Sequence, residues 1–362
     1  MKSSSVALII ALLLALVGHL LADSSKTTER SVAKLADGVY MIRHEDAPDT
    51  FPQGNTTVII GDRGVFVVDS CYLPSSARKD IEQIRQWTNK PVRYLLNTHW
   101  HNDHVQGNGE YLKAFPQMEI VAQVETAKHI AGYVPKYPSR FPKIAAIYQH
   151  GIDTKKDRDG NPLTDSDVEE LKKALVGKDE VLKELSQNTI VPPNLTFDHE
   201  FNVDLGNREV QVKFLGRGNT SGDAIVYLPK EQIVVAGDLL DHPVPYLGGG
   251  YPVDEAQTLK KMAMLDARTI VPGHGDVMHD KLYLNDVIDF LDTVTSLVGA
   301  EIYNTGNGPR NLDEVRKNVM AKVDLEKWRQ KLAGPSQDDR DFFNQFSLSG
   351  VITAAYAQQW GR

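Results

Sequence analysis

One cysteine, Cys71, in 362 residues leaves no partner for an intramolecular disulfide, so the fold must rest on packing and hydrogen bonding alone. Cys71 follows an apolar strand with no basic neighbour in sequence, which reads as a small buried hydrophobe and not as a nucleophile. Basic residues are also in deficit. Forty Lys and Arg against 48 Asp and Glu give a net charge of −8, which excludes the broad basic face that nucleic acids need and disfavours polyphosphate substrates. Gly248-Gly249-Gly250 lacks the Gly-Lys-Ser/Thr of a phosphate loop, and reads as a flexible lid. Ser75 and Ser76 lack the Gly-x-Ser-x-Gly context of a serine hydrolase, and read as caps of the helix that follows. No internal repeat and no low-complexity tract is present.

What is there is an ordinary hydrophobic supply, 41% of residues, with 24% charged, enough for one large α/β unit with insertions. Lys2, the apolar run 6–17 and the small residue Ala22 form the pattern of a secretory signal peptide cleaved near residue 22, with an uncleaved anchor as the alternative. The expectation is therefore a signal peptide over 1–22, one domain over 23–362, export to the periplasm or beyond, and no stable membrane insertion after cleavage.

After a polar leader over 23–34, β-branched segments at 38–43, 56–60 and 65–68 are separated by turn signals such as Gly61-Asp62-Arg63-Gly64. Ile81, Ile84 and Trp87 lie at helical spacing from about residue 75, and 92–96 is again strand-like. Residues 133–193 carry early prolines and then charged helical patterns over 165–185, which predicts a helical insertion. Strand signals return at 209–215, 224–228, 233–236 and 269–271, with a short helix over 255–265 between the last two. An apolar stripe from Leu284 to Val298 predicts a further helix, and the tail from 311 looks helical. Two runs of strands, each followed by helices, suggest two packed sheets with helices outside, an α/β fold.

Against that background one run stands out: Thr98-His99-Trp100-His101-Asn102-Asp103-His104, on the loop just past the strand 92–96. Three imidazoles and a carboxylate in six residues are costly unless a cation binds them, and these are ligands that Zn²⁺ accepts. His99 and His101 can meet one ion while Asp103 and His104 turn toward a second. Gly237-Asp238, Pro272-Gly273-His274-Gly275 and the glycine-rich loop 216–223 bearing Asn219 each follow a predicted strand, so Asp238, His274 and Asn219 are aimed from strand ends as well.

His-x-His-x-Asp-His, then Gly-Asp, then Pro-Gly-His-Gly, in that order, resemble the metallo-β-lactamase superfamily over roughly 38–297. The resemblance implies an αββα sandwich of two mixed sheets flanked by helices, here with a helical insertion at about 133–197 and a helical C-terminal extension at about 300–362. It implies that His99 and His101 bind a first ion, that Asp103, His104 and His274 bind a second, and that Asp238 bridges them. Asp69 matches a position that supports a ligating histidine from behind. The ions implied are one or two Zn²⁺, with iron or manganese open.

One position departs. Where the family usually carries histidine in the glycine loop, this chain has Asn219, a poorer ligand for Zn²⁺. Asn219 is thus a ligand or only a turn residue. The first site holds metal weakly, holds it with two histidines and water, or stays empty. His242 could stand in for the missing imidazole, Arg217 and Asp223 could anchor the loop by a salt bridge, and His150 could fold over the site from the insertion.

The function implied is a metal-dependent hydrolase in which a metal-bound hydroxide, oriented by the catalytic Asp103, attacks an ester, lactone, thioester or β-lactam carbonyl of a small molecule. Phosphodiester or sulfate-ester hydrolysis on the same metals is the alternative enzyme reading. A degenerate member that binds metal or ligand without turnover is the alternative outside enzymes.

Overall fold

The computed structural model describes residues 29–132, 134, 138–156, 163–303, 310–334 and 336–360. The expected signal peptide, 1–22, lies outside the described residues, as does part of the insertion.

Two mixed sheets face each other. The first runs β1 (Ser31–Ala36), β2 (Val39–Arg43), β3 (Thr56–Gly61), β4 (Gly64–Val68), β5 (Val92–Asn97), β6 (Glu119–Gln123) and β7 (Leu195–Phe197), in spatial as in chain order. Pairing is antiparallel as far as β4 and parallel from β4 to β7. A parallel pair needs a crossover, and helix Pro74–Trp87 supplies it between β4 and β5. The second sheet is ordered β12 (Thr269–His274), β11 (Ile233–Asp241), β10 (Ile225–Leu228), β9 (Glu209–Lys213), β8 (Glu200–Asp204), with only β11 and β12 parallel.

Strand alternation assigns each face. Phe66, Val68, Leu96 and Val121 of the first sheet meet Val212, Val226, Val235 and Val271 of the second in one buried layer. The alternate residues Val65, Val67, Leu95 and Ile120 pack outward under Ala77, Ile81 and Ile84 of helix Pro74–Trp87. On the far side Ile225, Val234 and Ile270 pack under Leu259 of helix Pro252–Ala263 and under Leu284, Leu291 and Val298 of helix Leu282–Tyr303. The result is the four-layer αββα sandwich expected.

The extension after residue 310 is helical, as expected. Helices Leu312–Met320, Leu325–Leu332, Gln337–Phe342 and Ser349–Trp360, with a π-helical turn at Phe343–Leu348, bury Val315, Trp328, Phe343 and Val351 against helix Leu282–Tyr303. The Phe290 ring lies 5.3 Å from Trp328 and 5.4 Å from Phe343.

The insertion is a pair of helices, Phe141–Thr154 and Asp165–Ser186, packed on Tyr72 and Ala47 through Ile144, Tyr148, Leu171 and Ala174. Lys178 is buried there, its Nζ 3.1 Å from Asp49 Oδ2 and over the rings of Phe141 and Tyr148. Gly177 is required, since a Cβ would fall 1.8 Å from the Pro48 carbonyl oxygen.

Two boundaries and two strands differ from the sequence reading. The polar leader over 23–34 runs into β1, an edge strand whose exposed residues hide the alternation. The insertion ends before 197, because Leu195–Phe197 is β7 and pairs with β6 at Val121 and Leu195. Neither β6 nor β8 was anticipated; β8 is an edge strand with one buried residue in five. Among the described residues no helix is long and apolar enough to cross a membrane.

Candidate metal centre

β5 ends at Asn97, and the chain then passes along the sheet edge before helix Asn102–Val105. His99 and His101 precede that helix, while Asp103 and His104 lie within it. Asp238 arrives on β11 and His274 closes β12. Both were expected on loops beyond strand ends; the strands in fact continue. Gly237 at φ +56° makes an irregularity in the β11 pairing, and its bare backbone fits against Thr98, whose Oγ1 would lie 2.8 Å from a Cβ.

Four groups converge on one point. His104 Nε2 lies 3.0 Å from Asp238 Oδ1, 3.2 Å from His274 Nε2 and 3.4 Å from Asp103 Oδ2. His274 Nε2 is 2.9 Å from Asp103 Oδ2 and 3.8 Å from Asp238 Oδ1. Beside it, His99 Nε2 is 3.1 Å and His101 Nδ1 3.8 Å from Asp238 Oδ2. Asp238 therefore belongs to both groups, one oxygen to each.

These spacings fit metal ions. Ligand atoms about 2.0–2.1 Å from a tetrahedral Zn²⁺ lie about 3.3 Å from one another. His104 Nδ1 is taken by Asp69 Oδ2 at 2.9 Å, so Nε2 points into the cluster, where it meets another imidazole nitrogen. Buried His99 Nε2 and Asp238 Oδ1 have no hydrogen-bond partner, the condition a cation would relieve.

The electrostatics agree. Burial works against charge on His274, but the Asp238 carboxylate and the hydrogen bond that the ring donates to Asp103 outweigh it and hold the ring at about 9. Burial likewise opposes charge on Asp103, yet the neighbouring His104 keeps its carboxyl well below the usual carboxylate range. His101, further from Asp238, is lowered by burial. Without an ion, the carboxylates hold protons on His104 and His274, where a metal would sit.

Asn219 is brought to the first group. It is 5% exposed, with Nδ2 3.4 Å from both His101 Nδ1 and Asp238 Oδ2, so it is more than a distant turn residue. Half a turn of the amide would present Oδ1 there instead. His242 is not grouped with His99 and His101; its ring meets Tyr283 edge-on, 5.0 Å between centroids. His150 is exposed on the insertion helix.

Other expectations are corrected. Arg217 pairs with Asp254 and lies over the Tyr251 ring, while Asp223 accepts from Gly218 N at 3.0 Å and from Thr220 N and Oγ1 at 2.8–3.0 Å. The Asp223 carboxylate thus closes the loop on the loop's own donors, and the Arg217 ion pair goes to Asp254 instead. Gly250 is a wall, not a lid: a Cβ would lie 2.3 Å from the Gly218 carbonyl oxygen, and Tyr251 N donates to that oxygen at 2.7 Å. Helix Pro74–Trp87 begins at its proline without a side-chain cap, and Ser75 Oγ instead donates to Glu184 of the insertion at 3.0 Å. Cys71 is buried as expected, but folding sets it beside His44 and Asp80, and burial, then Asp80, pushes its thiol well up.

Two contributors escaped the sequence reading. Asn55 donates from Nδ2 to the carbonyl oxygens of Pro272 and Gly275, at 3.0 and 3.1 Å, fixing the turn that carries His274. Asp241, buried beside the centre, is raised to about 7 by burial and then by Asp238. The recurrence of Asp three residues after Asp238 on one strand was the only signal for it.

Comparison with known proteins agrees with this geometry. The sequence model of the metallo-β-lactamase superfamily matches residues 49–274, and the chain belongs to that superfamily. It is 23% identical over 298 residues to a type 2 metallo-β-lactamase from Elizabethkingia meningoseptica, covering 80% of this chain and 95% of that protein. It is also 23% identical over 250 residues to a linear primary-alkylsulfatase from Pseudomonas sp. (strain ATCC 19151), covering 64% of this chain but only 43% of that longer protein. Among solved structures, a stereoselective inverting sec-alkylsulfatase from Pseudomonas sp. shares the fold at a TM-score of 0.59 and 16% identity, covering 92% of this chain and 50% of that one. Members of the superfamily are usually hydrolases and bind metal ions, commonly Zn²⁺.

Proposed function

We propose that the chain is a metal-dependent hydrolase of a small molecule carrying an ester, lactone, thioester or β-lactam carbonyl. The observation that carries this reading is the convergence of His104, Asp103, Asp238 and His274 at metal-ligand spacing, with His99, His101 and Asn219 alongside. His99, His101 and Asp238, helped by Asn219, would hold a first ion; Asp103, His104, His274 and Asp238 would hold the second, with Zn²⁺ favoured by the donor set and iron or manganese as the other choices. When bound, such ions would supply Lewis acidity and bring the pKa of a water toward neutrality.

The chain's own side chains divide the remaining work. Asp103, kept ionised beside His104 and His274, would orient the attacking water and pass its proton to the leaving group. Asp238 joins the two sites, and Asp69 fixes which nitrogen His104 presents. The reading includes export through segment 1–22, which the N-terminal sequence of the mature protein would reveal.

A second reading, sulfate-ester hydrolysis, is supported by the sequence similarity to a linear primary-alkylsulfatase, 23% identical over 250 residues. A panel of ester, thioester, lactone, β-lactam, phosphodiester and alkyl-sulfate substrates, run with metal analysis, tests both. Expected are one or two tightly held ions and turnover of a carbonyl substrate, lost with chelator and in Asp103→Ala. Turnover confined to alkyl sulfates would select the second reading. Bound metal without any turnover would make the chain a binding protein, and absence of metal with Asp103→Ala behaving as wild type would end the hydrolase reading.

A further inference from the structure

Beneath the metal centre lies a second set of titratable groups that hydrolysis does not use. His44, just after β2, is 2% exposed, with Nδ1 2.8 Å from the Gly54 carbonyl oxygen and Nε2 2.8 Å from Asp80 Oδ2. Asp80, fully buried on helix Pro74–Trp87, accepts from Arg30 Nη2 at 3.0 Å through its other oxygen. Cys71 completes a trio at ligand spacing. It is not a metal site: both ring nitrogens of His44 already face acceptors, and the Arg30 guanidinium is the cation beside Asp80.

What the pair holds is Gly54. Gly54 N donates to the Asp103 carbonyl oxygen at 3.1 Å. A Cβ on Gly54 would lie 2.3 Å from His104 Cε1, so its bare backbone forms the surface against which that ring is seated. The next residue, Asn55, donates its backbone N–H to Gly273 O at 2.7 Å and its side-chain amide to the flanking carbonyls. Residues 54 and 55 thus tie the turn bearing Asp103 and His104 to the turn bearing His274. Asp69 secures one edge of the His104 ring, but a single hydrogen bond leaves its tilt free. The Gly54 backbone removes that freedom, and only if its own carbonyl is fixed.

We propose that His44, oriented by Asp80, is a positioning residue for the second metal ion: by anchoring the Gly54 carbonyl it sets the tilt of the His104 ring. The proposal rests on the metal-hydrolase reading and extends it to residues behind the ligands.

Metal-free full-length protein titrated with Zn²⁺ against a chromophoric chelator tests it, with the visible spectrum of the Co²⁺ form as a second readout. His44→Ala is expected to weaken the tighter ion by about 10–100-fold, the range for losing a partner behind a ligand, and to shift the Co²⁺ bands. His44→Asn keeps an N–H aimed at the Gly54 carbonyl and is expected to recover most of that affinity. A purely structural role would lower the Tm of the metal-free Ala and Asn variants without separating their metal affinities. Affinity in His44→Ala within about threefold of wild type, or equal weakening in Ala and Asn, overturns the proposal. Should His44→Ala fail to fold, Asp80→Ala decides, since it leaves the ring present without the partner that orients it; unchanged affinity there overturns it too. Wild-type protein that takes up no Zn²⁺ or Co²⁺ would instead defeat the metal reading itself.

Discussion

Asp69 Oδ2 receives His104 Nδ1 at 2.9 Å while Asp69 Oδ1 receives the backbone N–H of Thr98 at 2.8 Å. One carboxylate therefore fixes both the start of the histidine loop and which nitrogen of His104 faces the cluster. The position is strained, with φ at +61°, and is held by the strand end on one side and the loop on the other. Asp69→Ala frees the ring and leaves Nδ1 able to compete with Nε2. Zn²⁺ affinity measured by chelator competition should fall about 10–100-fold, with the fold retained by circular dichroism. Affinity equal to wild type would mean that the Asp69 contact orients nothing.

Metal uptake should release protons. His274 is held at about 9, burial opposing its charge and the Asp238 and Asp103 carboxylates outweighing burial. Because that value is raised, the ring keeps its proton in the metal-free protein throughout the neutral range, and an ion must displace it. Apparent affinity should therefore rise with pH up to about 9, by up to about tenfold per unit for each proton displaced, and level off above. Calorimetry in buffers of differing ionisation enthalpy counts the protons directly. Affinity that does not change between about pH 6 and 8 would contradict the assignment of His274 as a ligand.

The residues that converge at the centre were legible because they cluster in sequence or sit beside glycine, and so was the sandwich, because Val65–Val68 and Ile233–Ala236 are β-branched runs bounded by turns. What holds those residues in place was not legible. Asn55 acts through backbone carbonyls of Pro272 and Gly275, more than 200 residues away, and His44 through the backbone carbonyl of Gly54; nothing local marks such contacts. Edge strands β1 and β8 were missed for a related reason: with few buried residues, their alternation carries no hydrophobic signal. The glycines at 248–250 suggested mobility by composition. At Gly250 the missing side chain instead permits a close backbone contact with the loop of Asn219.

Asn219 offers a direct gain-of-function test. Its amide nitrogen stands 3.4 Å from His101 Nδ1 and from Asp238 Oδ2, the distances at which a third imidazole would complete the first group. Asn219→His should raise affinity for the weaker ion by about tenfold or more, since neutral imidazole is the better Zn²⁺ donor. Stoichiometry by metal analysis should move toward two. An unchanged weaker ion would show that His99, His101 and Asp238 suffice without a ligand from the glycine loop.

The C-terminal extension makes a separate prediction, through Glu301. Its carboxylate, 2% exposed on helix Leu282–Tyr303, meets Lys322 and Arg310 and accepts from Asn318 Nδ2 at 2.8 Å. The hydrogen bond from Lys322, then that from Asn318, holds the carboxyl below its ordinary range. Lys322 and Arg310 stay partly in solvent, so screening limits the loss in Glu301→Gln to about 1–2 kcal/mol at neutral pH. A lowered folded-state value means that this stability is present above the unfolded carboxylate pKa, about 4.3, and is lost as pH falls through the folded one. Urea denaturation should accordingly show wild type and Glu301→Gln separated at pH 7 and converging below about pH 4, with Zn²⁺ affinity the same in both. A gap that persists unchanged into acid would assign the loss to packing of the extension and not to the charge on Glu301.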